Sequence, residues 1–211
     1  MQLMNNKIKK IPTYIMRLFA QHIKTRIQII SLQKNQERIY LEIGAGEKKG
    51  KNDWVTLDLN MKSDICWDLR QGIPFPDESI HKIYSSHLFE HLYFQEGQTL
   101  LDECFRVLVK GGIFSICVPN SRLYIEAYLN GNELDRSKFF RVESVYNNTS
   151  RIDYVNYTAY MGKAHKYMFD EENLVAILEK KNFRNVHLRE FDPQLDKQER
   201  DCLSIYAEAQ K

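Results

Sequence analysis

Apolar positions along the chain alternate between a three-to-four-residue period and short apolar runs, and the switches divide it into elements. Ile15, Phe19, Ile23, Ile27 and Ile30 recur at helical spacing after Pro12, which predicts a helix over 12–32 with its other face carrying Arg17, Lys24 and Arg26. Short β-prone runs follow at 39–44, 54–58 and 64–67, the second ending on Asp58 and the third running into Asp68. Gly72 to Asp77 is punctuated by Pro and Gly and predicts a turn; Ile80 to Ser86 predicts a fourth strand. From Leu88 through Val109 the period is helical, with Leu101, Cys104, Phe105 and Leu108 on one face and Lys110-Gly111-Gly112 as the stop. A fifth strand is predicted over 113–118, a helix capped by Asp170 running to Asn182, and two last strands at 186–190 and 203–207.

Strands alternating with helices predict an α/β, Rossmann-like, doubly wound fold with a mostly parallel sheet. Residues 120–168 break the rhythm: they are polar, weakly periodic, and carry Tyr124, Tyr128, Tyr146, Tyr154, Tyr157, Tyr160 and Tyr167. They are expected to form a lid over an acceptor pocket, although a helical insertion whose tyrosines pack against the sheet is the plainer alternative. The expected organisation is a basic cap helix in 1–36 and one domain in 37–211 with the lid at 120–168.

Charge adds an asymmetry to this picture. Seven basic residues and no acidic one precede Glu37, so the remainder carries about −5 against a formal total of +2. Residues 7–34 can therefore lie on an anionic membrane surface, or cap the sheet with a solvated basic face, the commoner use of such a helix. No apolar run approaches the roughly 20 residues that span a bilayer, and no signal-peptide pattern opens the chain. Cys66, Cys104, Cys117 and Cys202 are scattered, which argues for buried free thiols in a reducing compartment. The expected location is cytoplasmic, with contact at the inner membrane surface if the helix binds lipid.

Candidate chemistry collects at the strand ends, where open parallel sheets bind ligands. Gly44 and Gly46 follow the first strand, Asp58 ends the second, Asp68 follows the third, and Ser86 and His87 end the fourth. Glycines there admit a nucleoside and offer backbone N–H groups. Asp58 can accept both ribose hydroxyls, and Asp68 with the Leu69 amide can meet a purine. A dinucleotide site would want a third glycine at position 49, which is Lys. His87-Leu88-Phe89-Glu90-His91 matches a zinc-peptidase pattern literally, but it sits at a strand end with no distal ligand context.

Leu41-Glu42-Ile43-Gly44-Ala45-Gly46, Leu57-Asp58, Asp68-Leu69, Pro74-Phe75-Pro76-Asp77, Phe89-Glu90-His91 and Arg106 to Gly112, in that order, resemble a class I S-adenosylmethionine-dependent methyltransferase across about residues 39–120. The resemblance implies a seven-stranded sheet with an antiparallel last strand and S-adenosylmethionine as cofactor. It implies that Glu42, Gly44, Ala45 and Gly46 line the methionine end, that Asp58 with Leu59 holds the ribose, that Asp68 with Leu69 reads the adenine, and that Ser86 sits beside them. One departure stands out: only 45–53 join the first two strands, too few for the usual crossover helix, which must be a turn here.

For a hydroxyl acceptor His87 is the first candidate base, with His165 second and Asp170 weaker, since an imidazole titrates near neutrality. The expected acceptor is a hydroxyl of a sugar, glycan or glycolipid, as in polysaccharide biosynthesis, or another small molecule. No metal is required. Some O-methyltransferases that resemble this stretch, those acting on small-RNA ends included, bind a divalent metal through Glu and His, which gives an alternative site at His87, Glu90 and His91, with His165 able to add a ligand. A non-catalytic interaction protein on the same fold is the competing class. Nucleic acid is a minor expectation as partner, and no obligate protein partner is evident.

Overall fold

The computed structural model describes residues 13–50, 53–140 and 149–211, with side chains from Ala20 onward. Lys7, Lys9, Lys10, Pro12 and Tyr146 lie outside the described residues, as do the side chains of Ile15, Arg17 and Phe19. Helix α1 spans Thr13–Asn35, followed by strands β1 (Tyr40–Ile43), β2 (Trp54–Asp58), β3 (Ile65–Cys66) and β4 (Ile80–Ser86). Then come α2 (Phe94–Val107), β5 (Leu108–Pro119), α3 (Ser121–Asn130), α4 (Arg136–Phe139) and α5 (Ile152–Tyr160). The chain closes with α6 (Glu171–Lys180), β6 (Arg184–Leu188) and β7 (Ser204–Gln210).

The seven strands form one sheet in the order β3-β2-β1-β4-β5-β7-β6. β1 to β5 pair in parallel, and β7 runs antiparallel to both β5 and β6. The order reverses between β1 and β4, which leaves a crevice at their carboxyl ends. Leu41, Ile43, Leu57, Ile83 and Phe114 are fully buried in one core with Leu101 and Cys104 of α2, Leu174 and Leu178 of α6, and Ile29 of α1. Each such side chain contributes about 2 kcal/mol by leaving water.

As the short join predicts, no helix stands between β1 and β2 among the described residues, and hydrogen bonds fasten the turn instead. Asp64 Oδ2 accepts from the Gly50 and Thr56 amides at 2.9 and 3.0 Å and from Thr56 Oγ1 at 2.9 Å. Thr56 Oγ1 also donates to the Lys48 carbonyl at 3.2 Å. On the sheet face carrying Tyr40, Trp54 and Tyr84 an open cleft of about 990 Å³ remains, bounded on its far side by Asp192 and Leu195.

Four sequence expectations are corrected. Ile23, Ile27 and Ile30 do not dock α1: they are 58, 63 and 52 % exposed, while Thr25 and Ile29 are buried and Gln21 and Gln28 bond the backbone of Cys66 and Asp64. Helical period locates the stripe but says nothing of which stripe meets the sheet. The helix expected over 88–109 is split into a 3₁₀ turn, Phe89–His91, and α2, because Leu92 takes an extended conformation. Gly111 and Gly112 do not stop a helix; β5 starts at Leu108 directly after α2, its pairing with β4 shifts between Ile80 and Lys82, and Gly111 sits at φ +77°. Of the cysteines only Cys104 and Cys117 are buried; Cys66 is half-buried and Cys202 exposed, all four as free thiols.

The described residues of the 120–168 segment form three short helices, α3, α4 and α5, and a 3₁₀ turn. Asn120 caps α3 by accepting from the Arg122 amide at 3.0 Å, and Gly131 ends it in the left-handed conformation. Tyr124, Tyr154 and Tyr157 are buried with Ala127 in a small second core, which Phe139, Phe140 and Met161 join. Tyr128 and Tyr160 face solvent, and Tyr167 packs on the main core. Asp170 caps α6 as predicted, accepting from the Asn173 amide at 2.8 Å.

Candidate functional site

The rim of the sheet assembles the predicted strand-end residues. Gly44 (φ +69°) closes β1 by donating its amide to the Leu57 carbonyl at 2.9 Å, and a Cβ there would stand 2.9 Å from Leu88. Gly46 (φ +66°) faces open space instead, with nothing within 4 Å of an added Cβ. Its amide donates to Asp58 Oδ2 at 2.9 Å, and the Asn60 amide donates to Asp58 Oδ1 at 2.8 Å. The turn and the carboxylate are thus held together, each Asp58 oxygen keeping acceptor capacity for a ribose hydroxyl. Leu59 beside it is 61 % exposed.

Glu42 pairs with Lys48 at 2.7 Å, so the turn between β1 and β2 sets a cation beside the Glu42 carboxylate. Sequence reasoning did not anticipate this pair. Asp68 caps the 3₁₀ turn Leu69–Gln71 by accepting from the Arg70 amide and grips the Arg70 guanidinium. The Arg70 hydrogen bond, opposed by partial burial, holds the Asp68 carboxyl below its usual range. To accept an adenine amine Asp68 has to share lone pairs with Arg70, whose side chain is 57 % exposed and able to move. Ser86 pairs in register with Cys117 at the end of β4, and Ala45 is buried in the turn.

Directly past β4 the backbone of His87 takes φ +53°, an uncommon conformation for a non-glycine residue. His87 Nε2 is 2.8 Å from Ser204 Oγ and Nδ1 is 3.4 Å from Glu90 Oε1. A cavity of about 430 Å³ opens there, lined by His87, Glu90, His91 and His165 on one side and Tyr124, Phe139 and Tyr157 on the other. Arg200 and Leu203 close it. Both candidate bases, His87 and His165, therefore line one cavity, together with residues of α3, α4 and α5; Asp170 does not line it and is engaged by Arg122 at 3.1 Å.

Glu90 is 1 % exposed, and neither carboxylate oxygen has a hydrogen-bond partner among the described residues. Burial pushes its carboxyl up to about 8, against a smaller opposing pull from its own backbone and Arg200. His165, 5 % exposed, is pushed below its ordinary value by burial. Its Nδ1 lies 2.8 Å from the Thr158 carbonyl, and His91 Nδ1 lies 3.1 Å from the Ala164 carbonyl. A carbonyl can only accept, so neutral His91 and His165 carry their protons on Nδ1 and keep the lone pair on Nε2. One ligand atom from each of Glu90, His91 and His165 lies within 4.8 Å of the others, and His91 Nε2 is 3.7 Å from Glu90 Oε1. Arg200 and Ser204 arrive from a distant segment, so no local pattern in the sequence could place them here.

A family model described as "Methyltransferase domain" matches residues 41–116. A probable S-adenosylmethionine-dependent methyltransferase of Mycolicibacterium smegmatis is 39 % identical over 57 residues, 25 % of this chain and 21 % of that relative. The match thus spans about a fifth of the relative's length. Among solved structures, an S-adenosylmethionine-dependent methyltransferase from Archaeoglobus fulgidus superposes with a TM-score of 0.52 at 16 % identity, covering 90 % of this chain and 94 % of that one. Phosphoethanolamine N-methyltransferase 2 of Haemonchus contortus, in complex with S-adenosyl-L-methionine, gives 0.49 at 11 % identity, covering 91 % of this chain and 52 % of that one.

Proposed function

We propose that this chain, which carries a methyltransferase domain of the S-adenosylmethionine-dependent class, methylates a hydroxyl of a sugar, glycan or glycolipid in the cavity under its lid helices. One observation carries this: the rim of Gly44, Gly46 and Asp58 packs against Leu88, and the neighbouring His87 lines a cavity of about 430 Å³ shared by histidine, glutamate and aromatic side chains. S-Adenosylmethionine is the cofactor of the class, and when bound it supplies an electrophilic methyl group on a sulfonium.

The residues present fit it. Gly46 leaves the space a nucleoside needs, Asp58 offers both carboxylate oxygens, and Glu42 with Lys48 presents one charge of each sign to an amino-acid end. Tyr124, Tyr157 and Phe139 offer flat faces to a sugar ring. His87 is positioned to take the acceptor hydroxyl's proton on an imidazole nitrogen as the oxygen–carbon bond forms and the carbon–sulfur bond breaks. Positioning of the hydroxyl in line with the methyl supplies the rest of the acceleration.

Calorimetry with S-adenosylhomocysteine tests the cofactor half: saturable binding is expected, weakened at least about tenfold by Asp58→Ala. Absence of binding in the unmodified protein sinks the proposal. The acceptor half is tested by transfer of a labelled methyl group to glycan, glycolipid, RNA and protein fractions; label confined to RNA or protein rejects the sugar assignment.

A second reading is favoured by His91, His165 and Glu90 each bringing a ligand atom within 4.8 Å of the others, where the Glu90 carboxylate and His165 Nε2 accept no hydrogen bond among the described residues. Two imidazoles and a carboxylate suit a divalent zinc-class ion, which would polarise the acceptor hydroxyl and lower its pKa. In that case His165, in place of His87, completes the ligand set, and His87 stays beside it through Glu90. Cobalt(II) binding with tetrahedral visible absorption, lost in His165→Ala, is the expected signature; a silent titration removes the metal.

A further inference from the structure

Helix α1 has two apolar faces, and the sheet uses one of them. Ile29 and Thr25 are 4 and 0 % exposed, and Gln21 and Gln28 tie the same side to the backbone of Cys66 and Asp64. His22 stacks edge-on against Trp67 with centroids 4.5 Å apart. At about 100° per residue, Ile23, Ile27 and Ile30 fall within about 60° of one another on the opposite side. They are 58, 63 and 52 % exposed. Lys24 and Arg26 flank this stripe on either side, Lys34 continues its line, and all three are exposed. Thr13–Asn35 contains no acidic residue.

The combination selects among occupants. A second copy of the helix would set Lys24 and Arg26 against their equivalents with no carboxylate on either helix to pair them. A nucleic acid would satisfy the cations and leave three isoleucines in water. A bilayer bearing anionic headgroups satisfies both: isoleucines enter the boundary between headgroups and acyl chains while the longer cationic side chains reach phosphates above them. The remainder of the chain is net acidic and is repelled by such a surface, so the field orients the molecule with α1 toward it.

We propose that α1 lies in the plane of an anionic membrane surface, with Ile23, Ile27 and Ile30 embedded and Lys24, Arg26 and Lys34 on the headgroups. This is independent of the catalytic assignment. The test is co-sedimentation of the full chain with phosphatidylcholine vesicles, with and without about 30 mol % phosphatidylglycerol, at low and high salt. Binding to the anionic vesicles, weakened by salt, is expected. Ile23→Glu/Ile27→Glu/Ile30→Glu should weaken it by more than about tenfold, and Lys24→Glu/Arg26→Glu should abolish the preference for anionic lipid. These positions face solvent, so an unchanged melting temperature and unchanged S-adenosylhomocysteine affinity separate lost docking from lost folding. The proposal is overturned if the unmodified chain ignores anionic vesicles or the isoleucine variant binds them equally. It is overturned as well if the chain forms a dimer that those same substitutions dissociate.

Discussion

An alanine at Gly44 would have to hold φ near +69° with its Cβ 2.9 Å from Leu88, whereas an alanine at Gly46 meets only the backbone penalty. Gly44→Ala is therefore expected to cost about 2–3 kcal/mol of stability, seen in a denaturant midpoint. Gly46→Ala should cost about 1 kcal/mol and fall mainly on cofactor affinity, since its Cβ enters the space the nucleoside needs. Glu90 gives a pH dependence with a definite sign. Its carboxyl lies near 8 in the folded metal-free protein against 4.5 in the unfolded chain, so between those values the folded state holds the extra proton. Stability is fully present below about 4.5, declines as pH rises through 8, and levels off above it. Unfolding free energies measured from pH 5 to 9 with chelator should show that decline, and Glu90→Gln should flatten it. At this scale the sequence was informative about identity and silent about environment. The Gly44–Gly46 turn and Asp58 could be read from type and spacing, while the burial of Glu90 is a property of the folded core and the proton position on His91 is set by Ala164, 73 residues away.

At the scale of elements, the short join between β1 and β2 is the unusual part of the fold, and Asp64 is its fastening. Asp64→Ala orphans the Gly50 and Thr56 amides and leaves the Thr56 hydroxyl only the Lys48 carbonyl, which should cost about 2–4 kcal/mol and weaken S-adenosylhomocysteine binding, because the 46–50 turn carries both Gly46 and Lys48. Thermal melts and calorimetry on one variant check both outcomes. The missing helix was legible from a count of residues; Asp64 was not, being one carboxylate among many until Thr56 and Gly50 converge on it. The 120–168 segment shows a different limit. Its tyrosines had no clean period because α3, α4 and α5 are short and bury each other, so no long face repeats. For α1 the period was read correctly and its orientation reversed: a stripe of isoleucines looked like the docking face, and Gln21, Gln28, Thr25 and Ile29 do the docking.

Across the whole molecule, the sheet's two ends are fastened by different means. Beyond β5, the 189–196 segment crosses the sheet through a buried ion pair: Arg189 meets Asp196 at 2.6 Å, with side chains 12 and 0 % exposed. Tyr84 donates to the same carboxylate at 2.8 Å and Arg189 reaches Ser115 Oγ at 3.0 Å. Burial works to raise the Asp196 carboxyl, and Arg189 with the Asp192 amide and Tyr84 outweighs it, leaving it below the usual range. Asp196→Ala should thus cost about 3–5 kcal/mol by stranding a buried guanidinium, and Arg189→Met with Asp196→Leu should recover much of that loss. Chemical denaturation of the single and double variants decides it. The strand order was accessible from the sequence only through the resemblance carried by residues 39–120; the pairing of β7 with both β5 and β6 spans separations no local pattern encodes.

That pairing also sets a schedule. On the ribosome β5 emerges beside β4 with its other edge bare, and α3 through β6 must all be made before β7 exists to cover it. β6 meanwhile has no strand to join. For that interval the growing chain presents Ile113 to Val118 as an unpaired apolar edge, a template for pairing with a neighbouring nascent chain. Production of this protein is therefore expected to be limited by protection of the unfinished sheet more than by stability of the finished one. Slowing translation between β5 and β7 should increase its aggregation without changing the melting temperature of the molecules that escape.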